Sequence, residues 1–293
     1  MVDVTERYVV GIDGSAPSAA ALRWAIARAR QTPAPVVLAH VDDEEDAGFG
    51  NDDDREFESR RGAHLVAEAL ARVTEALPEI PVSVALLNGG VAWSLARFVR
   101  PGDVLVIGTG KTGFLRGRVL GSRSVQIALA AQCTVAVIPD IDLRFRRGVV
   151  AGIDRVQTAG AVAHTAGAEA SVRGEELLLV QSASPTEVAA SGPGRSGLAV
   201  TFAMEHARSR CPHLEIRSRV TARPAAEALL DSARDRALLV LGPGSLEASR
   251  SPFGSVMHEV LLNVNAPVLV ARPVESSALV GPVPTLTPER EQS

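Results

Sequence analysis

The residues of this chain best suited to chemistry are an aspartate that closes an apolar run and a loop dense in glycine, lysine and serine. Asp13 ends Tyr8-Val-Val-Gly-Ile-Asp13 and is followed by Gly14 and Ser15. A carboxylate there can accept hydrogen bonds from a ribose, coordinate magnesium, or cap the helix that follows. Further on, Gly108-Thr-Gly110-Lys111-Thr-Gly113 leads to Gly121-Ser122-Arg123-Ser124 at the start of a second apolar helix pattern. Successive backbone N–H groups and a helix N-terminus make a site for phosphate oxygens. Lys111 adds a point charge, and Ser122 or Ser124 a hydroxyl donor. The loop departs from a P-loop, because it lacks the GxxxxGK[ST] spacing and follows the fourth strand. A bare glycine-rich turn is the competing reading.

The same landmarks return later. Gly148-Val-Val-Ala-Gly-Ile-Asp154 repeats the first run, with Asp154 in the place of Asp13. Asp103-Val-Leu-Val-Ile-Gly108 is matched by Ala237-Leu-Leu-Val-Leu-Gly242, and each leads to a Gly-Ser pair, Gly121-Ser122 and Gly254-Ser255. Apolar runs ending in Pro139 and Pro273 close the two halves. Four landmarks in one order indicate a duplication. The second copy is the poorer phosphate site: Pro243 removes a backbone donor, and Glu247 adds a like charge.

These residues need elements to hold them. Apolar periodicity predicts strands over 8–12, 36–41, 82–87, 104–107 and 134–137. It predicts helices over 18–31, 58–77, 91–100 and 122–131, the first capped by Ser15 or Ser18. The second half follows the same plan, with a loop rich in Gly, Pro and Ser over 185–197. The acidic run over 42–54 reads as a solvated loop. Alternating strands and helices specify a mostly parallel α/β sheet with right-handed crossovers, where ligands collect at the carboxyl ends of the strands. The expected organisation is two tandem five-stranded units, over 1–141 and 142–275, and a tail over 276–293 too poor in apolar periodicity to fold. The last strand of each unit, near 135–137 and 268–270, needs a partner for its apolar edge. That partner is the other half, a second chain, or both.

Bulk properties exclude several classes. Apolar residues make up 46% of 293 and aromatic residues only 3%, so small aliphatic side chains fill the core. A formal charge of -4 and a pI near 5.9 give no basic field for nucleic acid. No apolar run approaches membrane-spanning length and no secretion signal is visible, so the expected location is the cytoplasm. Arg144, Arg146 and Arg147 read as a solvated linker. Cys133 and Cys211 lack metal-ligand spacing and read as structural thiols. The six histidines (His40, His64, His164, His206, His213 and His258) are scattered; His40, at the end of the second strand, is the one placed to meet a base. No Ser-His-Asp arrangement and no GxSxG motif is present.

The whole pattern resembles the universal stress protein family in its tandem, actinobacterial form, over about 7–139 and 147–273. The resemblance implies a unit of the adenine nucleotide α-hydrolase-like fold that often dimerises through its last strand. In nucleotide-binding members, ATP is held by an Asp after strand one, backbone of strand two, and a G-x2-G-x9-G-[S/T] loop. Asp13, Val41, Gly108, Gly121 and Ser122 match those places, while Lys111 stands where the second loop glycine should be, flanked by Gly110 and Gly113. Arg123 and Ser124 follow the closing pair. Asp154, Gly242, Gly254 and Ser255 are the second-half counterparts, with that loop one residue short.

The expectation is therefore an adenine-nucleotide-binding stress-response module, holding ATP with or without Mg2+ and lacking efficient catalysis. Its units are expected to pair within the chain, and a homodimer is a further option. The alternative is a nucleotide-free scaffold assembling through its edge strands. A third class, an adenylyl-transferring enzyme, would need an acid, base or metal site that the sequence does not display.

Overall fold

The computed structural model describes residues 7–43, 52–110, 123–183, 197–243 and 256–272, with backbone alone for 52–58. The first half runs β1 (Tyr8–Gly11), α1 (Ala16–Gln31), β2 (Val36–Asp42), α2 (Asp52–Ala76), β3 (Val82–Asn88), α3 (Val91–Phe98), β4 (Val104–Thr109), α4 (Arg123–Ala130) and β5 (Thr134–Pro139). The second runs β6 (Val149–Gly152), α5 (Val156–Arg173), β7 (Leu177–Ser182), α6 (Leu198–Arg210), β8 (Ile216–Thr221), α7 (Ala225–Ala233), β9 (Leu238–Leu241), α8 (Val256–Leu262) and β10 (Val268–Val270).

The ten strands of the described residues join one sheet in the order β3-β2-β1-β4-β5-β10-β9-β6-β7-β8. Every neighbouring pair is parallel except β5 and β10, which run antiparallel with Val268 opposite Val137 and Val270 opposite Val135. Each half thus has the order 3-2-1-4-5, and its strand order reverses between the first and fourth strands. The mostly parallel α/β architecture expected from the periodicity is the one observed.

Strands covered on both faces explain the apolar runs. On one face Tyr8 and Val10 of β1 and Val149 and Ala151 of β6 belong to a core layer completed by α1, α2, α5 and α6, with Ala21, Ala25, Ala163 and Ala203. Val9 and Leu105 pack on the opposite face, under α3, α4, α7 and α8, with Leu95, Ile127, Leu229 and Met257. Both layers of core run through the two halves without a break. Alanine on the buried sides of α1, α5 and α6 lets these helices lie close to the sheet, which is how a chain so poor in aromatic residues fills its interior.

Helix α1 shows how sequence sets a boundary. Ser15 is the N-cap and its Oγ accepts from the Ser18 amide at 3.2 Å, while Pro17 occupies the first turn. Ser18 is not the cap: it donates to the Gly11 carbonyl at 3.1 Å and accepts from the Asp13 amide at 3.2 Å. At the amino-terminal edge of the sheet, Arg7 grips the buried Asp103 through Nε and Nη2, at 3.0 and 2.6 Å. That fork ties the start of β1 to the start of β4.

Several boundaries differ from expectation by a residue or two, and two of the differences are instructive. Helix α2 begins at Asp52, so its start takes in part of the acidic run assigned to a loop. Aspartates are poor in helix interiors but favourable in a first turn, where their charge complements the exposed N–H groups. Helix α3 ends at Phe98 rather than Arg100, because Pro101 disfavours helical backbone in the residue before it. The expected loop over 185–197 and tail over 276–293 lie outside the described residues, apart from Gly197.

Candidate functional site

A crevice opens where the first-half strand order reverses, between the carboxyl ends of β1 and β4. Asp13, Val41, Gly108, Arg123 and Ser124 all line it, over a floor that includes Ile12, Ala39, Leu95 and Ile127. Five of the sequence-predicted residues, from four separate stretches of chain, are therefore brought to one place. It is also the place that doubly wound sheets reserve for ligands.

Asp13 follows β1 directly. Its Oδ1 accepts from the Ser15 amide at 2.9 Å, closing a turn in which Gly14 has φ of 78°. The carboxylate therefore shapes the turn, and Ser15 does the capping. Among the described residues no other hydrogen bond engages this carboxylate, and Asp13 is exposed to the crevice.

Val41 contributes its main chain. In a parallel strand the N–H and C=O of one residue point to the same side, and alternate residues point to opposite sides. The Ala39 carbonyl accepts from the Ile12 amide at 2.8 Å, so Ala39 faces β1. The Asp42 carbonyl accepts from the Gly89 amide at 3.1 Å, on the β3 side. Val41 therefore presents its N–H and C=O beside Ala39, past the point where β1 has ended. A donor and an acceptor, one residue wide, face the crevice with no strand to pair with among the described residues.

Gly108 is required by packing as much as by any ligand. A Cβ there would run into the backbone of Pro17 and come within 2.6 Å of the Ser18 nitrogen. The absence of a side chain lets α1 begin directly against β4. Among the described residues Gly110 has only the Pro17 side chain nearby, at 3.6 Å, and it is not one of those lining the crevice. Lys111, Gly113, Gly121 and Ser122 lie outside the described residues.

Arg123 and Ser124 sit in the first turn of α4, which borders the crevice. Ser124 is buried. Arg123 forms an ion pair with Asp43, which follows β2. His40 does not line the crevice. Its Nδ1 donates to the Ile12 carbonyl at 2.6 Å and its Nε2 lies 3.3 Å from Asp42 Oδ1. Its ring packs so tightly on α2 that a Cβ on Gly62 would collide with it. His40 is structural polar filling.

The second half holds a counterpart crevice, lined by Asp154, Arg155, Ser182, Gly242 and Met257 among others. Its chemistry differs. Arg155 stands in the place of Gly14, and its Nε pairs with Asp154 Oδ2 at 3.1 Å. Arg155 is also the N-cap of α5, without a side-chain cap bond. Ser182 occupies the place of Val41 and donates to the Arg223 carbonyl at 2.7 Å. Gly242 is less constrained than Gly108, its nearest neighbour being the Val162 side chain at 3.2 Å. Gly254 and Ser255 lie outside the described residues. Ser182, Arg155 and Asp43 were not legible as site residues; only the 141-residue offset between the halves could have pointed to the first two.

Among the described residues no group of three His, Cys, Asp or Glu is placed to hold a metal. No helix among them is long and apolar enough to cross a membrane.

A duplicated, mostly parallel α/β sheet of the nucleotide-hydrolase-like type, with a crevice at each reversal of strand order, defines the class. Comparison with known proteins agrees. Residues 5–139 match the universal stress protein family model, so the first half is a universal stress protein domain, and relatives of that name align over most of the chain. The chain is 28% identical over 295 residues to a universal stress protein of Mycolicibacterium smegmatis, covering 93% of this chain and 100% of the relative. It is 29% identical over 285 residues to one of Mycobacterium tuberculosis, covering 90% and 96%. The solved structure of a universal stress protein from Archaeoglobus fulgidus superposes with a TM-score of 0.74 over 93% of this chain and 98% of its own, at 14% identity. That last likeness is one of fold.

Proposed function

We propose that the chain is a regulatory module that takes an adenine nucleotide in its first crevice, with ATP as the ligand, and does so without efficient turnover. The observation that carries this reading is the main chain of Val41. Its donor and acceptor, over the apolar floor of Leu95 and Ile127, match the polar edge and flat faces of a purine. Asp13 is placed to accept from a ribose diol, and the start of α4 to receive phosphate oxygens.

A magnesium ion fits the donor set in a limited way. Asp13 supplies one carboxylate, which suffices where the nucleotide phosphates supply further ligands. Asp13 is also the single carboxylate, and no histidine is present, among the described residues lining the crevice. That sparse lining supports a role for ATP as a ligand that stabilises one conformation. Asp154, already paired with Arg155, makes the second crevice the weaker site.

Of the pairings open to the last strands, β5 with β10 within the chain is the one that forms, which covers both of those edges.

Thermal unfolding of metal-stripped protein, with ATP, with ATP and magnesium, and with AMP, tests the reading. A rise of several degrees with ATP, exceeding that with AMP, is expected. No shift at millimolar ATP would refute nucleotide binding.

A further inference from the structure

The duplication puts an opposite charge at one and the same position of the two units. Asp13 and Asp154 are 141 residues apart, and so are Arg28 on α1 and Glu169 on α5. Arg28 and Glu169 are thus each other's counterparts, and they meet. Arg28 Nε and Nη2 both donate to Glu169 Oε1, at 3.0 and 2.7 Å. Both side chains are more than nine-tenths buried.

The seam strands obey the same symmetry. Tyr8 aligns with Val104 as Val149 aligns with Leu238, and Leu105 aligns with Val135 as Leu239 aligns with Val268. Ala136 is therefore the counterpart of Leu269, and these two lie directly opposite in the antiparallel pair. A local two-fold axis passes between them, on the sheet face that also carries α1 and α5. Residues on such an axis meet their own counterparts, as residues do in an isologous dimer.

A seam of this kind would accept like units as readily as unlike ones. Two first units would place Arg28 against Arg28; two second units would place Glu169 against Glu169. Either would bury like charges. We propose that Arg28 and Glu169 act as a pairing code: the partner that fits the seam of the first unit is the second unit, and like-with-like association of two chains is excluded. The pair is not optimised for cohesion. Arg28 Nη1 and Glu169 Oε2 have no hydrogen-bond partner among the described residues, and Arg173 Nη2 only approaches Glu169 Oε2, at 3.6 Å. Buried ion pairs are often replaceable by apolar side chains without loss of stability, whereas removing one partner is strongly destabilising. Selection between partners explains a costly pair better than cohesion does.

The test uses the full chain, unfolded and refolded over a range of concentrations, with mass read by light scattering. Arg28→Leu together with Glu169→Leu is expected to keep the unfolding midpoint within a few degrees of the parent and to refold into two-chain and longer species as concentration rises. Arg28→Glu together with Glu169→Arg, which inverts the code, is expected to refold to the parent mass. Arg28→Glu alone is expected to lower the midpoint by roughly 10 °C. The idea is overturned by an apolar pair that refolds to the parent mass at every concentration. It is equally overturned by an inverted pair that behaves like the single charge reversal.

Discussion

Arg123 Nη2 and Asp43 Oδ2 meet at 2.8 Å, joining the start of α4 to the end of β2 on the rim of the first crevice. Asp43 is largely buried and Arg123 more than half exposed. A phosphate arriving at the first turn of α4 must share this guanidinium with a carboxylate already in place. Asp43→Asn is therefore expected to raise affinity for ATP by about threefold, and Arg123→Ala to lower it by a similar factor, within the range of exposed ion pairs. Isothermal titration at two salt concentrations checks both, and the gain in the Asn variant should shrink at high salt.

Val41→Pro isolates the main-chain donor. The Val41 N–H has no partner in the ladder, so proline removes a ligand contact while leaving the strand bonds in place. Loss of nucleotide binding by at least tenfold, with the unfolding midpoint nearly unchanged, is the expected pair of results. An unfolding curve that collapses together with binding would mean that this N–H serves the fold.

The two switch-point glycines should differ in their tolerance. A methyl group at Gly108 meets the backbone of α1, which cannot turn aside, whereas at Gly242 it meets a valine side chain. Gly108→Ala is expected to cost about 2 to 3 kcal/mol and Gly242→Ala less than about 1 kcal/mol. Urea unfolding of the two variants decides the matter.

Cys133 provides a pH signature. Burial pushes its thiol up to about 11 from 9.0, with the Leu105 backbone opposing. The folded pKa is the higher one, so the unfolded chain ionises first as pH rises. Stability is complete below about pH 9 and falls between pH 9 and 11, by roughly 2 to 3 kcal/mol. Cys133→Ser should flatten that part of the stability profile. Alkylation at pH 8 should reach the partly exposed Cys211 well before Cys133.

Much of this molecule could be read from residue order. The strands announced themselves because burial on both faces makes them uniformly apolar, as in Val104-Leu-Val-Ile107. Asp13 and Gly108 stood out because each ends such a run. What stayed hidden depends on relations across space. The value of Val41 comes from β1 ending one turn of pleat before β2, and Val41 alone carries no sign of that. The Asp43–Arg123 pair closes a separation of 80 residues, with nothing local to predict it. The helical start at Asp52 was obscured because aspartate serves both loops and first turns.

The antiparallel seam between β5 and β10 has one more effect. Strands of the first unit run one way along the sheet and those of the second run the other, so the two crevices open at opposite margins of the protein. Molecules held in them could not touch, and would be approached from opposing directions. The duplication thus yields something a side-by-side repeat would not: a two-ended body, whose two crevices can be occupied and approached independently.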